Sequence, residues 1–137
     1  MRITIVIAAF NAARCLSDCL DSIYRQTYAD IEVIVVDAGS TDGSRQILER
    51  YAQRCNLCVN LIFTWISEPD DGIADAWNKG ILRSTGEWIL FLGADDTLYN
   101  PEILSTCARI LIEASPLCQV IYGGVAMIDE TQKVLEV

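Results

Sequence analysis

Histidine is absent from all 137 residues. A Ser-His-Asp triad is therefore impossible, and no GxSxG nucleophile elbow is present either. Basic residues are few: 10 Lys and Arg stand against 19 Asp and Glu, for a net charge of -9. They form no cluster, which argues against DNA or RNA as a partner. An acidic domain can still hold an anionic ligand when a metal ion sits between them. The first apolar run is not followed by GxGxxG, so a dinucleotide-binding Rossmann domain is not indicated. GxxxxGK followed by Ser or Thr is also missing, which removes P-loop phosphotransferases. No solenoid-period repeat, low-complexity stretch or flexible linker interrupts the chain. No long apolar run exists: the N-terminal one breaks at Asn11, too soon to cross a bilayer, and it lacks a signal-peptide pattern. A cytoplasmic chain with reduced thiols is expected. Cys55 and Cys58 do form a CxxC, readable as a redox or zinc motif. The other cysteines lack a matching spacing, and Cys15 and Cys19, four apart, fit a buried helix face.

What the chain does have is alternation. Ile3 to Ala8, Glu32 to Val36, Leu61 to Ile66 and Trp88 to Leu92 are short apolar runs, the first two almost entirely β-branched. Such runs fit strands buried on both faces. Between them lie helical stretches: Ala12 to Gln26, a segment ending near Arg54, and Ile73 to Arg83. A fourth, opened by Pro101, stops before Pro116. Val120 to Tyr122 and Lys133 to Val137 are weaker strand candidates. Strand and helix alternating four times imply crossover connections and a mainly parallel α/β sheet in one domain. Ligands bind such sheets beyond the carboxyl ends of the strands.

The strand ends are therefore where chemistry is expected. Ala8-Ala9-Phe10-Asn11 follows the first strand, and Asp37-Ala38-Gly39-Ser40 the second. Asp37 can accept a hydrogen bond from a nucleobase or ribose, or start an Asx turn. Ser67 to Gly72 follows the third strand. In the helix after it, Asp75 and Lys79 can meet a sugar and a phosphate, or form an ordinary i, i+4 pair. Asp95-Asp96 follows the fourth strand. Adjacent carboxylates repel. A divalent cation that also takes phosphate oxygens relieves this, although a solvated loop whose Asp caps the next helix is the plain alternative.

Five segments, in order and at family spacing, resemble glycosyltransferase family 2, the inverting enzymes of the GT-A fold. Ile5 to Asn11 looks like the opening strand with its aromatic-Asn turn. Leu20-Asp21-Ser22-Ile23-Tyr24-Arg25-Gln26-Thr27-Tyr28 resembles the end of the first helix. Glu32 to Ser44, through Val35-Val36-Asp37-Ala38-Gly39-Ser40, is similar to the second-strand signature. Ser67-Glu68-Pro69-Asp70-Asp71-Gly72-Ile73 through Asn78-Lys79-Gly80 matches a branch acting in bacterial surface polysaccharide and O-antigen assembly. Leu92-Gly93-Ala94-Asp95-Asp96 resembles the DxD-type metal motif.

The resemblance implies a Rossmann-like sheet flanked by helices and a nucleotide-sugar donor, with UDP-sugars the commonest. It also implies Mn2+ or Mg2+ and a glycan or lipid-linked acceptor at the inner membrane face, reached by peripheral association. Carried over by position, Ala8, Ala9, Phe10 and Asn11 line the donor pocket, with Phe10 near the base. Asp37 resembles the carboxylate that meets the base, with Gly39 beside it. Asp95 resembles the residue near ribose and metal, and Asp96 the direct metal ligand. Asp71, Gly72, Asp75 and Lys79 line the diphosphate and sugar side. Three departures stand out: Ala38 and Gly93 replace acids found in many members, and Trp77 replaces an Arg.

The family's general base lies downstream of the metal motif. Here only Asp129-Glu130 offers an acidic pair, in what reads as a hairpin turn. The expectation is thus a truncated enzyme carrying the donor-binding half, with the base beyond residue 137. Rival readings are a non-catalytic nucleotide-binding module, a zinc or redox domain, and a nucleotidyltransferase, which would need a Gly-rich basic loop after the first strand.

Overall fold

The computed structural model describes residues 1–55, 61–114, 118–129, 131 and 134–136. Four parallel strands form the main sheet: β1 (Ile3–Ala9), β2 (Ile31–Asp37), β3 (Leu61–Ser67) and β4 (Trp88–Gly93), in the order β3-β2-β1-β4. Helices α1 (Leu16–Tyr24), α2 (Ser44–Cys55), α3 (Ile73–Ile81) and α4 (Ile103–Glu113) alternate with them. The expected α/β architecture is what forms.

The two central strands explain the order. Every residue of β2 is buried, as is all of β1 except the half-buried Ala8, whereas β3 and β4 stay partly open. Burying one Ile or Val contributes roughly 1.5–3 kcal/mol, so the β-branched runs of β1 and β2 belong in the middle. Ile5, Ile7, Val33 and Val35 point to one face, where they pack with Leu16, Leu20 and Ile23 of α1, Leu48 of α2 and Leu104 of α4. Ile34 and Val36 point to the other, against Ala76 of α3. Helix α3 lies close there: a Cβ on Gly80 would come within 2.2 Å of Val6 Cγ1. Chain direction dictates this split. The β1-to-β2 and β2-to-β3 steps move one way across the sheet, and β3-to-β4 returns. Right-handed crossovers then place α3 on the face opposite α1 and α2.

At the amino end of the strands, a buried polar knot ties the layers. Glu32, 5% exposed, accepts from Thr4 Oγ1 at 2.6 Å, Thr85 N at 2.8 Å and Thr85 Oγ1 at 2.9 Å. Thr4 Oγ1 in turn accepts from Gly86 N. Burial pushes the Glu32 carboxyl up, but these hydrogen bonds and the Arg2 guanidinium outweigh it and hold the group below the usual carboxylate range.

Two expectations differ from the structure. The first helix starts at Leu16, not Ala12, because Asn11 takes a left-handed φ of 47°. The amides of residues 11 to 13 then bond the neighbouring loop. Val120 to Tyr122 is not a strand. It is irregular and exposed, Tyr122 by 93%. The late strand does form, as β6 (Val134–Glu136), antiparallel to β5 (Met127–Ile128). Asp129 sits in the turn and accepts from Thr131 N and Oγ1, while Glu130 lies outside the described residues.

Among the described residues no helix is long and apolar enough to cross a membrane. Cys15, Cys19, Cys107 and Cys118 are free thiols. Cys19 is fully buried, and burial, with the nearby acids Asp96 and Asp95, pushes it up to about 12. Cys55 is buried and its Sγ meets Leu61 O. Cys58, the other half of the CxxC, lies outside the described residues.

Candidate functional site

Parallel register sets the expected residues level with one another. Ala9 is opposite Asp37, Asp37 opposite Ser67, and Ala8 opposite Gly93. The carboxyl ends of all four strands thus form one edge, running from Asp95-Asp96 past Phe10-Asn11 and Asp37 to Ser67. Three inter-strand steps of about 4.8 Å make that edge roughly 14 Å long. Strand β2 leads into α2 on one face and β3 into α3 on the other, the topology that opens a crevice between strand ends.

The β1 end is presented outward. Phe10 is 64% exposed, an aromatic side chain with no core to explain it. Asn11 is exposed as well, and its left-handed backbone is costly for a residue with a Cβ. Short polar side chains of the β2–α2 loop hold it. Asn11 N donates to Ser40 Oγ at 2.8 Å, and Asn11 Oδ1 accepts from Thr41 N at 3.0 Å. Ala12 N donates to Ser44 Oγ and Ala13 N to Asp42 Oδ2, both at 2.9 Å. Donation by the Ser44 hydroxyl and the Ala13 amide keeps the Asp42 carboxyl below its ordinary range. Gly39, with φ 79°, makes the bend that brings this loop round.

Asp37 lies at the very end of β2, level with Ala9 and Ser67. It is 0% exposed. Oδ1 accepts from the Ser40 hydroxyl, and Oδ2 accepts from Ser40 N at 3.0 Å and Ser67 Oγ at 2.7 Å. Three of its roughly four acceptor positions are filled by its own neighbours.

Lys79 is also engaged. Its ammonium lies 2.9 Å from Asp75 Oδ2 and 3.3 Å from Glu68 Oε1, and donates to Pro69 O at 3.0 Å. The ordinary i, i+4 pair therefore forms, widened into a clamp on the loop before α3. Hydrogen bonding to Asp75, then to Glu68, raises Lys79, and the Lys79 contact lowers Asp75. Asp75 Oδ2 also accepts from Asp71 N, and Gly72, with φ 104°, turns the chain into the helix. Asp71 itself is exposed.

Asp95 and Asp96 are exposed at the β4 end. Their carboxylates converge: a Cβ placed on Gly93 would lie 2.8 Å from Asp95 Oδ1 and 2.8 Å from Asp96 Oδ2. Gly93 N donates to Asp96 Oδ2 at 3.0 Å, which fixes that side chain over the glycine. Among the described residues no three His, Cys, Asp or Glu side chains converge to hold a metal by themselves. Two carboxylates suit a hard cation that takes its remaining oxygens from phosphate and water.

The structure therefore gathers Ala8 to Asn11, Gly39, Asp95 and Asp96 at one accessible edge. It sets Asp37 beneath that edge, and Asp71, Gly72, Asp75 and Lys79 in the loop and helix after β3. Ser40 and Ser67, which help build the edge, were placed at strand ends from sequence without a role, and Asp42 and Ser44 were not singled out as site residues. Their types are those of any turn, and only the pairing of distant loops reveals their work.

The chain and its parallel fold match known proteins. The profile described as Glycosyl transferase family 2 matches residues 4–136. The chain belongs to that family, and its fold is that of GT-A glycosyltransferases. A PGL/p-HBAD biosynthesis glycosyltransferase of Mycobacterium bovis is 43% identical over 124 residues, 90% of this chain and 46% of the relative. A putative glycosyltransferase of Bacillus subtilis, EpsH, is 31% identical over 98% of this chain and 37% of its own length. The chain thus spans less than half the length of these curated relatives. Among solved structures, the mannosyltransferase PcManGT of Pyrobaculum calidifontis, in complex with GDP-Man and Mn2+, superposes with a TM-score of 0.75. It is 31% identical, with 84% of this chain and 33% of that one covered. S. aureus TarS in complex with UDP-GlcNAc gives 0.70 at 28% identity, covering 82% and 32%.

Proposed function

We propose that this chain forms the donor-binding part of an inverting glycosyltransferase that uses a nucleotide-sugar and a divalent cation, Mn2+ or Mg2+. The observation that carries this reading is the convergence of Asp95 and Asp96 over Gly93, at one end of the edge that also presents Phe10. The nucleobase lies against the exposed face of Phe10, and the diphosphate extends along the strand ends toward β4. Asp96 and Asp95 would hold the cation, which would supply positive charge to offset that building on the departing nucleoside diphosphate. The acceptor hydroxyl attacks the anomeric carbon from the side opposite the leaving group, which inverts its configuration. Neighbours that bind UDP-GlcNAc and GDP-Man support a nucleotide-sugar donor, and a UDP-sugar is favoured. The acceptor is a glycan or a lipid-linked glycan in surface polysaccharide assembly, met at the inner face of the cytoplasmic membrane by peripheral association.

A carboxylate must take the proton from the acceptor hydroxyl. Asp129 is committed to its turn by two hydrogen bonds from Thr131. That favours a second reading, in which this chain binds a nucleotide without transferring the sugar.

The test is thermal unfolding with UDP, GDP, CDP and dTDP, each with and without Mn2+. A ligand that binds only the folded state stabilises by about 2.7 kcal/mol at a hundredfold excess over Kd. A metal-dependent rise with one nucleotide, lost in Asp96→Ala, is expected. No rise with any of the four refutes donor binding. Retained binding with no transfer to any acceptor supports the second reading.

A further inference from the structure

Resting on the donor-site reading above, we infer that Asp37 is a positioning residue. With Ser67 and Ser40 it sets the left-handed turn at Asn11, and through that turn the presentation of Phe10, without touching the base. The argument follows the direction of each hydrogen bond. The Ser40 hydroxyl has one proton and gives it to Asp37 Oδ1. Its lone pairs are thereby turned outward, and one receives Asn11 N. An acceptor at residue 37 fixes the direction of the Ser40 proton and so orients the lone pair that meets residue 11. Ser67, at the end of β3, donates to the other carboxylate oxygen and fixes its rotation. Ser40 N binds that same oxygen and closes the loop on itself. One buried carboxylate thus joins the ends of three adjacent strands. It bears on the single non-glycine residue with positive φ among those described, immediately beside the exposed aromatic.

A carboxylate only accepts, whereas an amide both donates and accepts. The Asp37→Asn amide can turn its NH2 toward Ser40, so that the hydroxyl accepts from residue 37, must turn its own proton elsewhere and holds Asn11 N less firmly. Ser67→Ala frees the carboxylate to rotate, and Ser67→Thr restores the hydroxyl. A base-reading carboxylate predicts something else. Uracil offers an N3–H to a carboxylate and cytosine does not, so Asp37→Asn would then shift preference from UDP toward CDP.

The experiment combines amide hydrogen exchange with nucleotide affinities on the 137-residue chain. In Asp37→Asn and Ser67→Ala, the Asn11 amide is expected to exchange roughly tenfold faster, the equivalent of one hydrogen bond. The core amides of Ile5 and Val35 keep their rates, and Ser67→Thr returns Asn11 to the wild-type rate. With Mn2+, UDP and CDP are both expected to weaken by a common factor of roughly three to ten in Ser67→Ala. A changed UDP-to-CDP ratio in Asp37→Asn overturns the inference in favour of direct base contact. An unchanged Asn11 rate in both variants overturns it as well, as does uniform loss of protection across the core. If the wild type binds neither nucleotide, the donor reading falls, and the exchange rates still decide whether Asp37 braces Asn11.

Discussion

Replacing Gly93 with alanine should separate folding from metal binding. The new Cβ would lie 2.8 Å from Asp95 Oδ1 and from Asp96 Oδ2. An ordinary contact begins at 3.4 Å, so reaching one moves each oxygen by 0.6 Å. Both side chains are exposed and can swing outward. In the metal-free protein the change breaks the hydrogen bond from Gly93 N to Asp96, a loss of about 0.5–1.5 kcal/mol. Removing a glycine from a strand returns about 0.5–1 kcal/mol. The two nearly cancel, and stability without metal should move by less than ~1 kcal/mol. Metal binding has no such compensation. A Mg2+-like ion holds its oxygens at about 2.0–2.1 Å in a strict geometry, so carboxylates pushed apart by the methyl are expected to share it less well. Tenfold weaker Mn2+ binding, or about 1.4 kcal/mol, is the minimum expected. Isothermal titration of Mn2+ in the presence of the favoured nucleotide measures the second quantity, and urea unfolding of the metal-free protein the first. Unchanged Mn2+ affinity would refute the assignment of these carboxylates as ligands.

Two further predictions concern the scaffold. Gly80→Ala places a methyl 2.2 Å from Cγ1 of the fully buried Val6. Overpacking of about 3 kcal/mol less ~1 kcal/mol of helix propensity leaves a loss of about 2 kcal/mol, or roughly 7 °C in Tm. Val6→Ala in the same chain should recover part of this, and a neutral Gly80→Ala would contradict the close approach of α3. Glu32 is held below its ordinary range in the folded state, so its contribution is full above the unfolded pKa and fades as pH falls through the folded one. The stability gap between wild type and Glu32→Gln, from urea unfolding at several pH values, should therefore shrink from pH 7 to about pH 3. A constant gap would show that the carboxylate charge is not what matters.

The strands were legible because buried parallel strands need apolar β-branched runs, and Ile3 to Ala8 and Glu32 to Val36 have no other plausible use. The site edge was legible for the same reason, since strand ends locate it. What sequence could not settle was direction and competition. Asp37 reads equally as a ligand or a brace, and only the structure adds its full burial and the approach of Ser67 from 30 residues away, which support the brace. Lys79 could face a phosphate or Asp75, and the fold adds Glu68 to the second choice. Helical periodicity in Ala12 to Cys15 was overruled because Ser40, Asp42 and Ser44 take the amides of residues 11 to 13 for another purpose. Val120 to Tyr122 has strand-like composition, but a strand needs a pairing partner, and none of its described residues has one.

The place of β1 in the sheet also bears on synthesis. It is made first, yet one of its two neighbours begins at Trp88, paired with Ile3 across 85 residues. At about 5–20 residues per second, the ribosome leaves one edge of this apolar strand bare for roughly 4–17 s after it emerges. During that interval β2 is its sole strand partner among the described residues. Early pairing of these two strands, followed by late closure by β4, is the order of assembly that the topology imposes. A nascent chain stalled before Trp88 would carry the β4-facing edge of this apolar strand in the open, where it can pair with another chain.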